Sequence, residues 1–391
     1  MSDPMDKSGA SSTAQGPLAG VRVLEFAGIG PAPFCGMLLS DLGADVILID
    51  RPGRPPPAPD AVTYRGRRHL PLDLKDPASI PICLSLLERA DLLIEGFRPG
   101  VMERLGLGPE IALSRNVALV YGRMTGWGQH GPLAQRSGHD INYIAISGAL
   151  HAIGPADKPV PPLNLVGDFG GGALYLAFGL LAAHRCALVT GIGQVVDCAI
   201  SDGAASLMAM LYGYKAAGRW ADRREANRLD GGAHFYDTYR CADGKWVAVG
   251  AIEPQFYREF LTRLGLESAA FDDPANPAGW ARLKAAIGAR LLTKSRDDWA
   301  ALLEPHDACF APILAMGEAP GHHHNAARNT FVEHGGVVQP APAPRFSRTP
   351  GAIQVVETGP DPVTAAMAAW GCDEADRRPS AQPGGEAGQQ P

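Results

Sequence analysis

No two cysteines in this sequence are spaced as Cys-x-x-Cys. The seven that occur, Cys35, Cys83, Cys186, Cys198, Cys241, Cys309 and Cys372, stand singly. Isolated thiols argue against a disulfide framework and against a zinc ribbon, so a reducing, cytoplasmic setting is expected. Basic tracts interleaved with aromatics are also missing. Aromatic residues make up 7% and the net charge is −6, so nucleic acid is not an expected partner. Long apolar runs are scarce. The stretch Ala173–Ala183 contains Gly179 and is shorter than a bilayer crossing needs, so no membrane association is expected. Residues 1–16 carry no apolar segment of the secretory type and are expected to form a disordered tail. His322-His323-His324 is the sole histidine cluster. Consecutive imidazoles do not converge on one point, so this triplet is expected in a solvated loop, and no metal is expected.

What is present is ample for a core. Of the 391 residues, 46% are hydrophobic and 19% charged, which suggests a globular chain of about two domains. Val21–Phe26 reads as a strand, Pro31–Leu42 as a helix with proline in its first turn, and Asp45–Asp50 as a second strand. A strand, helix, strand series implies a parallel pair with a right-handed crossover. Gly28-x-Gly30 followed by Asp50 imitates a dinucleotide fingerprint, but Pro33 stands where the third glycine belongs, so no nicotinamide cofactor is expected.

Further helix and strand patterns follow at Ala78–Arg89 and Asp91–Glu95, then strands at Val117–Tyr121 and Gln194–Ala199. Arg51, Arg54, Arg65, Arg67, Arg68, Lys75, Arg98 and Arg104 fall near predicted strand ends. Ligands of an open parallel sheet sit at that edge, so these residues form either a solvated basic face or a cradle for a phosphorylated carrier. From Tyr236 the pattern changes to a hairpin around Asp243-Gly244, followed by helices at Glu253–Leu264, Trp280–Leu292 and Arg296–Leu303.

The fold class expected is therefore α/β, a large Rossmann-like parallel-sheet domain with a smaller α+β domain. The large domain is placed at 17–217 and 330–370, the small one with its linkers at 218–329, and a second tail at 371–391.

Two short stretches invite a chemical reading. Gly138-His139-Asp140 opens a predicted helix, and Gly138 allows close backbone approach by a ligand. Asp168 precedes Gly170-Gly171-Gly172, where it serves either as a helix cap or as a carboxylate open to a ligand.

Several stretches together resemble the family III CoA-transferase superfamily and, within it, the α-methylacyl-CoA racemases. They are Val23–Pro31, Glu95–Gly100, Gly138–Tyr143, Gly167-Asp168, Gly232–Tyr236 and Ile252–Tyr257. The resemblance runs from Leu18 to about Ile353. It implies two copies threaded into an interlocked homodimer, with each site between the large domain of one and the small domain of the other. It also implies inversion at the carbon beside a thioester carbonyl, which needs acid/base groups on both faces of that carbon.

By motif, His139 and Asp168 match that pair, and Glu253 matches the carboxylate that holds the histidine ring. The Asp140 N–H matches the donor to the enolate oxygen. Arg51, Leu72, Lys75, Gly96, Phe97, Arg98, Arg104, Gly138 and Tyr143 match positions that bind the acyl-CoA. An acyl-CoA thioester is the implied partner, CoA being part of the substrate rather than a separate cofactor. A CoA-transferase using Asp168 as nucleophile and a non-catalytic acyl-CoA binder are the other readings.

Overall fold

In the computed structural model, residues 16–55, 57–356 and 361–372 are described. Among them the chain divides into two compact units. The first comprises the described residues up to Tyr143, Asn164–Ala204 and those from Phe331 onward; the second comprises Ile144–Leu163 and Ala205–Thr330. The second unit thus takes in 144–163 and starts again before Gly218, the residue at which the sequence reading begins the small domain.

The first unit is built on a six-stranded sheet. Its strands are β1 (Arg22–Phe26), β2 (Asp45–Asp50), β3 (Arg67–Pro71), β4 (Leu92–Glu95), β5 (Val120–Thr125) and β6 (Val195–Ala199). They lie in the order β3-β2-β1-β4-β5-β6, and every pairing is parallel. Strands covered on both faces read as unbroken apolar runs, and Val46-Ile47-Leu48-Ile49 and Leu92-Leu93-Ile94 are buried throughout. Alternate residues feed two cores. Leu24, Phe26, Ile47, Ile49 and Leu93 pack with helices Ser79–Arg89 and Pro362–Ala369. Val23, Val46, Leu92, Ile94 and Val120 pack with helices Pro31–Asp41 and Tyr175–Thr190. Each buried Leu or Ile contributes about 1.5–3 kcal/mol.

This strand order reverses direction between β1 and β4, and the carboxyl ends of those two strands open the crevice where such sheets take their ligands.

Two ion pairs are buried in the sheet. Arg67 Nε donates to Glu25 Oε2 at 3.0 Å, and its Nη1 donates to the carbonyls of Thr63 and Arg65. Arg123 Nε donates to Glu95 Oε1 at 2.8 Å and its Nη1 to Glu103 Oε1 at 2.7 Å.

The stretch Leu165–Thr190 departs from expectation. It is continuous helix of 26 residues, long and apolar enough to cross a membrane by length and composition. The three glycines hide its first part from a reading by propensity. Its buried face, Leu176, Leu180, Ala183 and Ala187, belongs to the core beside the sheet. Leu174, Phe178, Leu188 and Val189 are exposed, Phe178 by 75%.

The second unit holds an antiparallel sheet of β7 (Tyr236–Arg240), β8 (Trp246–Gly250) and β9 (Phe310–Pro312). Gly244 takes φ +81°, which lets the turn between β7 and β8 close. Helices Pro254–Leu264, Pro277–Leu291 and Arg296–Leu303 bury Phe260, Ile287, Trp299 and Leu303 against this sheet. In the first unit, Phe331–His334 and Val337–Pro340 pair as β10 and β11 around Gly335-Gly336.

Candidate active site

The β1 end runs through Ala27-Gly28-Ile29-Gly30 into helix Pro31–Asp41. The β4 end runs through Gly96-Phe97-Arg98. Glu95 is fully buried at the last position of β4 and accepts a hydrogen bond from the Phe97 N–H at 2.8 Å. Burial pushes its carboxyl pKa up, against the lowering by the Phe97 N–H and the Arg123 guanidinium. Glu95 and Arg123 therefore fix the turn that carries Gly96, Phe97 and Arg98. The sequence reading gives neither a role, although a lone acid ending an apolar strand signals a buried partner.

Two cavities open at this crevice. One, of about 1060 Å³, is lined by Arg51, Arg54, Leu72, Lys75, Gly96 and Phe97 among others. The other, of about 480 Å³, is lined by Gly30, Arg98, Trp127, Gly138, His139, Tyr143 and Asp168 among others. They share Ile29, Gly96 and Phe97, so they adjoin at the β4 end. Arg51 and Lys75 are exposed at the larger cavity. Asp50, the imitation ribose ligand, is engaged instead: its carboxylate accepts from the Arg51 N–H at 2.7 Å and from Arg54 Nη1. Arg104 lies on the exposed side of helix Val101–Arg104 and lines neither cavity.

Helix Asp140–Ile146 delivers His139 and Tyr143 to the smaller cavity. Asn142 Oδ1 accepts from the His139 N–H at 3.0 Å, and the His139 carbonyl accepts from the Asn142 N–H at 2.8 Å. This reciprocal cap sets the helix start at His139. Asp140 then occupies the first turn, where a backbone N–H has no intrahelical acceptor. The Tyr143 hydroxyl donates to the Gly138 carbonyl. Tyr143 meets the Trp127 ring edge-on, with centroids 4.7 Å apart. A side chain on Gly138 would collide with both rings, its Cβ 2.8 Å from Tyr143 and 3.0 Å from Trp127. Arg98 Nη2 donates to Ser137 Oγ at 2.7 Å, beside the same segment.

Asp168 is not a helix cap. It sits in the first turn of a ten-residue π-helix, Leu165–Leu174. π-helical turns are rare and concentrate at functional sites. Glycines allow this one to pack: a Cβ on Gly171 would lie 2.6 Å from the Ala204 N, and one on Gly203 would lie 1.8 Å from the Gly171 O. Asp168 is carried to the β1 end, so close to Gly30 that a Cβ there would meet Asp168 Oδ2 at 2.9 Å. The Asp168 N–H donates to Asp140 Oδ1 at 2.6 Å. Burial first, and the Asp140 charge second, raise the Asp168 carboxyl to about 6, against lowering by Asn164 and His139. His139 and Asp168 line the same cavity.

Thus His139, Asp140, Asp168, Gly138, Tyr143, Arg98, Gly96 and Phe97 gather at one crevice, with Arg51, Leu72 and Lys75 along its continuation. Glu253 belongs to the second unit, where it is the exposed N-cap residue of helix Pro254–Leu264.

The model of CoA-transferase family III matches residues 18–361. The chain belongs to CoA-transferase family III. It is 44% identical over 335 residues to a mouse protein named alpha-methylacyl-CoA racemase, covering 85% of this chain and 87% of that one. The human protein of the same name is 42% identical over 335 residues, again covering 85% and 87%. Among solved structures, a CAIB/BAIF family protein from Brucella suis superposes with a TM-score of 0.76 at 26% identity, covering 91% of this chain and 99% of that one. The parallel sheet and small antiparallel sheet are therefore the fold of this family.

Proposed function

We propose that this member of family III interconverts the (R) and (S) forms of 2-methylacyl-CoA thioesters. The observation that carries the reading is that His139 and Asp168 come from separate elements and line one cavity, with Asp168 raised to about 6. One group removes the proton from C2 of the substrate, and the C–H electron pair passes into an enolate. The other then delivers a proton to the opposite face. An imidazole and a carboxyl raised to about 6 are both suited to give and take a proton around neutrality. The Asp140 N–H is the proposed donor to the enolate oxygen. The names of the mouse and human relatives support the reaction class.

The adjoining cavities suit a long ligand. We place the phosphates of CoA at Arg51 and Lys75, its pantetheine arm over Gly96 and Phe97 beside Leu72, and the thioester at Gly138 and Tyr143. Arg98 lines the cavity that takes the thioester, and Arg104 reaches CoA only from outside the lining. CoA returns unchanged, and the reaction as proposed uses no separate cofactor or metal.

The exposed apolar face of Tyr175–Thr190 supports burial against a second copy, so the functional form is proposed to be an interlocked homodimer. In it Glu253 of the other copy steadies the His139 ring. The seven free thiols fit a reducing compartment, proposed as the cytoplasm.

The test is incubation of an (R)-2-methylacyl-CoA with the enzyme in D₂O. Deuterium at C2, with loss of optical purity, is the expected result. Transfer of CoA to an added carboxylic acid without exchange would show instead that Asp168 attacks the thioester as a nucleophile.

A further inference from the structure

We propose that Glu304, His322 and His323 form a binding site for a divalent transition-metal ion of the zinc type, contained within the second unit. The three side chains each offer one ligand atom, and these atoms all lie within 4.8 Å of one another. The sequence reading puts the histidine triplet in a solvated loop because consecutive imidazoles do not converge. The fold supplies what that reading lacks, a third ligand from a different element.

Glu304 caps the carboxyl end of helix Arg296–Leu303. His322 and His323 stand at the start of the short helix His323–Ala327, after the turn Ala319–Gly321. His322 Nε2 lies 2.9 Å from Glu304 Oε1, and the His322 and His323 ring centroids are 4.4 Å apart. Zinc holds nitrogen and oxygen ligands at roughly 2.0–2.2 Å, so two ligands on one tetrahedral ion are about 3.4 Å apart. His322 Nε2 and Glu304 Oε1, now at hydrogen-bond distance, need only part by about 0.5 Å to admit the ion. His323 is exposed, so its ring can turn to close the remaining distance.

The segment is also held in place without a metal. Glu318 accepts from Arg296 Nη1 and Nη2 at 2.8 and 2.9 Å, at the other end of the same helix. Asn325 Nδ2 donates to the Ala319 carbonyl at 2.8 Å. The histidines are thus laid along helix Arg296–Leu303 before any ion arrives, and little ordering is left for binding to do.

Two imidazole nitrogens and one carboxylate oxygen select zinc, nickel or copper over magnesium or calcium, which favour all-oxygen sets. Binding replaces the hydrogen bond between His322 Nε2 and Glu304, any proton on that nitrogen leaving to solvent, and water fills the fourth position. The bound ion links the end of helix Arg296–Leu303 to the segment that leads toward Thr330, the last residue of the second unit.

The experiment uses full-length protein without an affinity tag, stripped with chelator and titrated calorimetrically with Zn²⁺, then with Co²⁺ followed by absorption. One ion per chain is expected, with a rise in melting temperature on adding Zn²⁺. The Co²⁺ spectrum should lack the intense thiolate band that a cysteine ligand would give. His322→Ala and the isosteric Glu304→Gln should each weaken binding at least tenfold, and His324→Ala should leave it unchanged. Failure of wild-type protein to bind saturably overturns the proposal. Undiminished affinity in both His322→Ala and Glu304→Gln, or a thiolate band with Co²⁺, overturns it too.

Discussion

Replacing Asp168 by asparagine should make the protein more stable at neutral pH while abolishing turnover. The carboxyl is raised from 3.8 to about 6, by burial first and by Asp140 second. An acid whose folded pKa lies above its unfolded value binds more protons in the folded state between those two values. Stability therefore falls as pH rises through roughly 4 to 6 and stays lowered above that window. A displacement of about two units corresponds to a ceiling of about 3 kcal/mol. The side chain is only half-buried and lines an open cavity, so solvent screening reduces this to about 1–2 kcal/mol. Asparagine keeps the shape, and the backbone N–H at this position still donates to Asp140. Urea denaturation at pH 8 should show Asp168→Asn ahead by about 1–2 kcal/mol, and at pH 4 the two proteins should agree within about 0.5 kcal/mol. A variant no more stable than wild type at pH 8, or equally favoured at both pH values, would refute the reasoning. The raised value also has a catalytic meaning. At pH 7 a carboxyl of pKa about 6 holds its proton about one-tenth of the time, against about one part in 1,600 at 3.8. The strain that asparagine relieves is thus what makes Asp168 a usable proton carrier.

Three other substitutions, one with a neutral control, probe the frame around the site. Arg67→Met leaves the fully buried Glu25 without its ion-pair partner and should cost about 3–5 kcal/mol in urea denaturation; a loss below about 1 kcal/mol would mean Glu25 takes up a proton at no cost. Gly203→Ala drives a Cβ to 1.8 Å from the Gly171 carbonyl. It should destabilise by about 1–3 kcal/mol and lower deuterium exchange far more than thermal stability. Gly213→Ala, where a Cβ meets nothing within 4 Å, is its neutral control. Phe178→Asp alters a side chain that is 75% exposed in the single chain, so folding should survive. Sedimentation then tests the proposed homodimer: wild type should run as dimer and Phe178→Asp should shift part of it to monomer, whereas a monomeric wild type would refute the dimer and an unchanged dimer would move its interface elsewhere.

Where the chain is uniformly apolar, its sequence is easy to read. Asp45–Asp50 is a strand with the bounds expected, because a run buried on both faces leaves little choice. β5 is less transparent. The sequence suggests Val117–Tyr121, yet the strand is Val120–Thr125. Gly122 and Arg123 look like loop residues. In the fold Gly122 is required, since a Cβ would lie 2.8 Å from Leu180 and 3.0 Å from the Leu93 O, and the Arg123 charge is met by Glu95. β3 is obscured in the same way, because Arg67 reads as surface until Glu25 is seen beside it. For the site, the sequence motifs single out His139 and Asp168, but nothing in them reveals the raised carboxyl. That property depends first on burial and second on Asp140, whose Oδ1 lies 2.6 Å from the Asp168 N, and both exist only after folding.

The π-helix that carries Asp168 also has an evolutionary consequence. A π-turn holds one residue more than an α-turn. Deleting a single residue between Asp168 and Leu174 would let the segment rewind as ordinary helix continuous with Tyr175–Thr190. Each residue of an α-helix turns by about 100°. Asp168 would then swing out of register with Gly30, while the buried face of Tyr175–Thr190 kept its place against the sheet. A lineage could lose or exchange the chemistry of this crevice in one step without first losing the fold, and a one-residue deletion scan across Phe169–Leu174 would retrace that step in the laboratory.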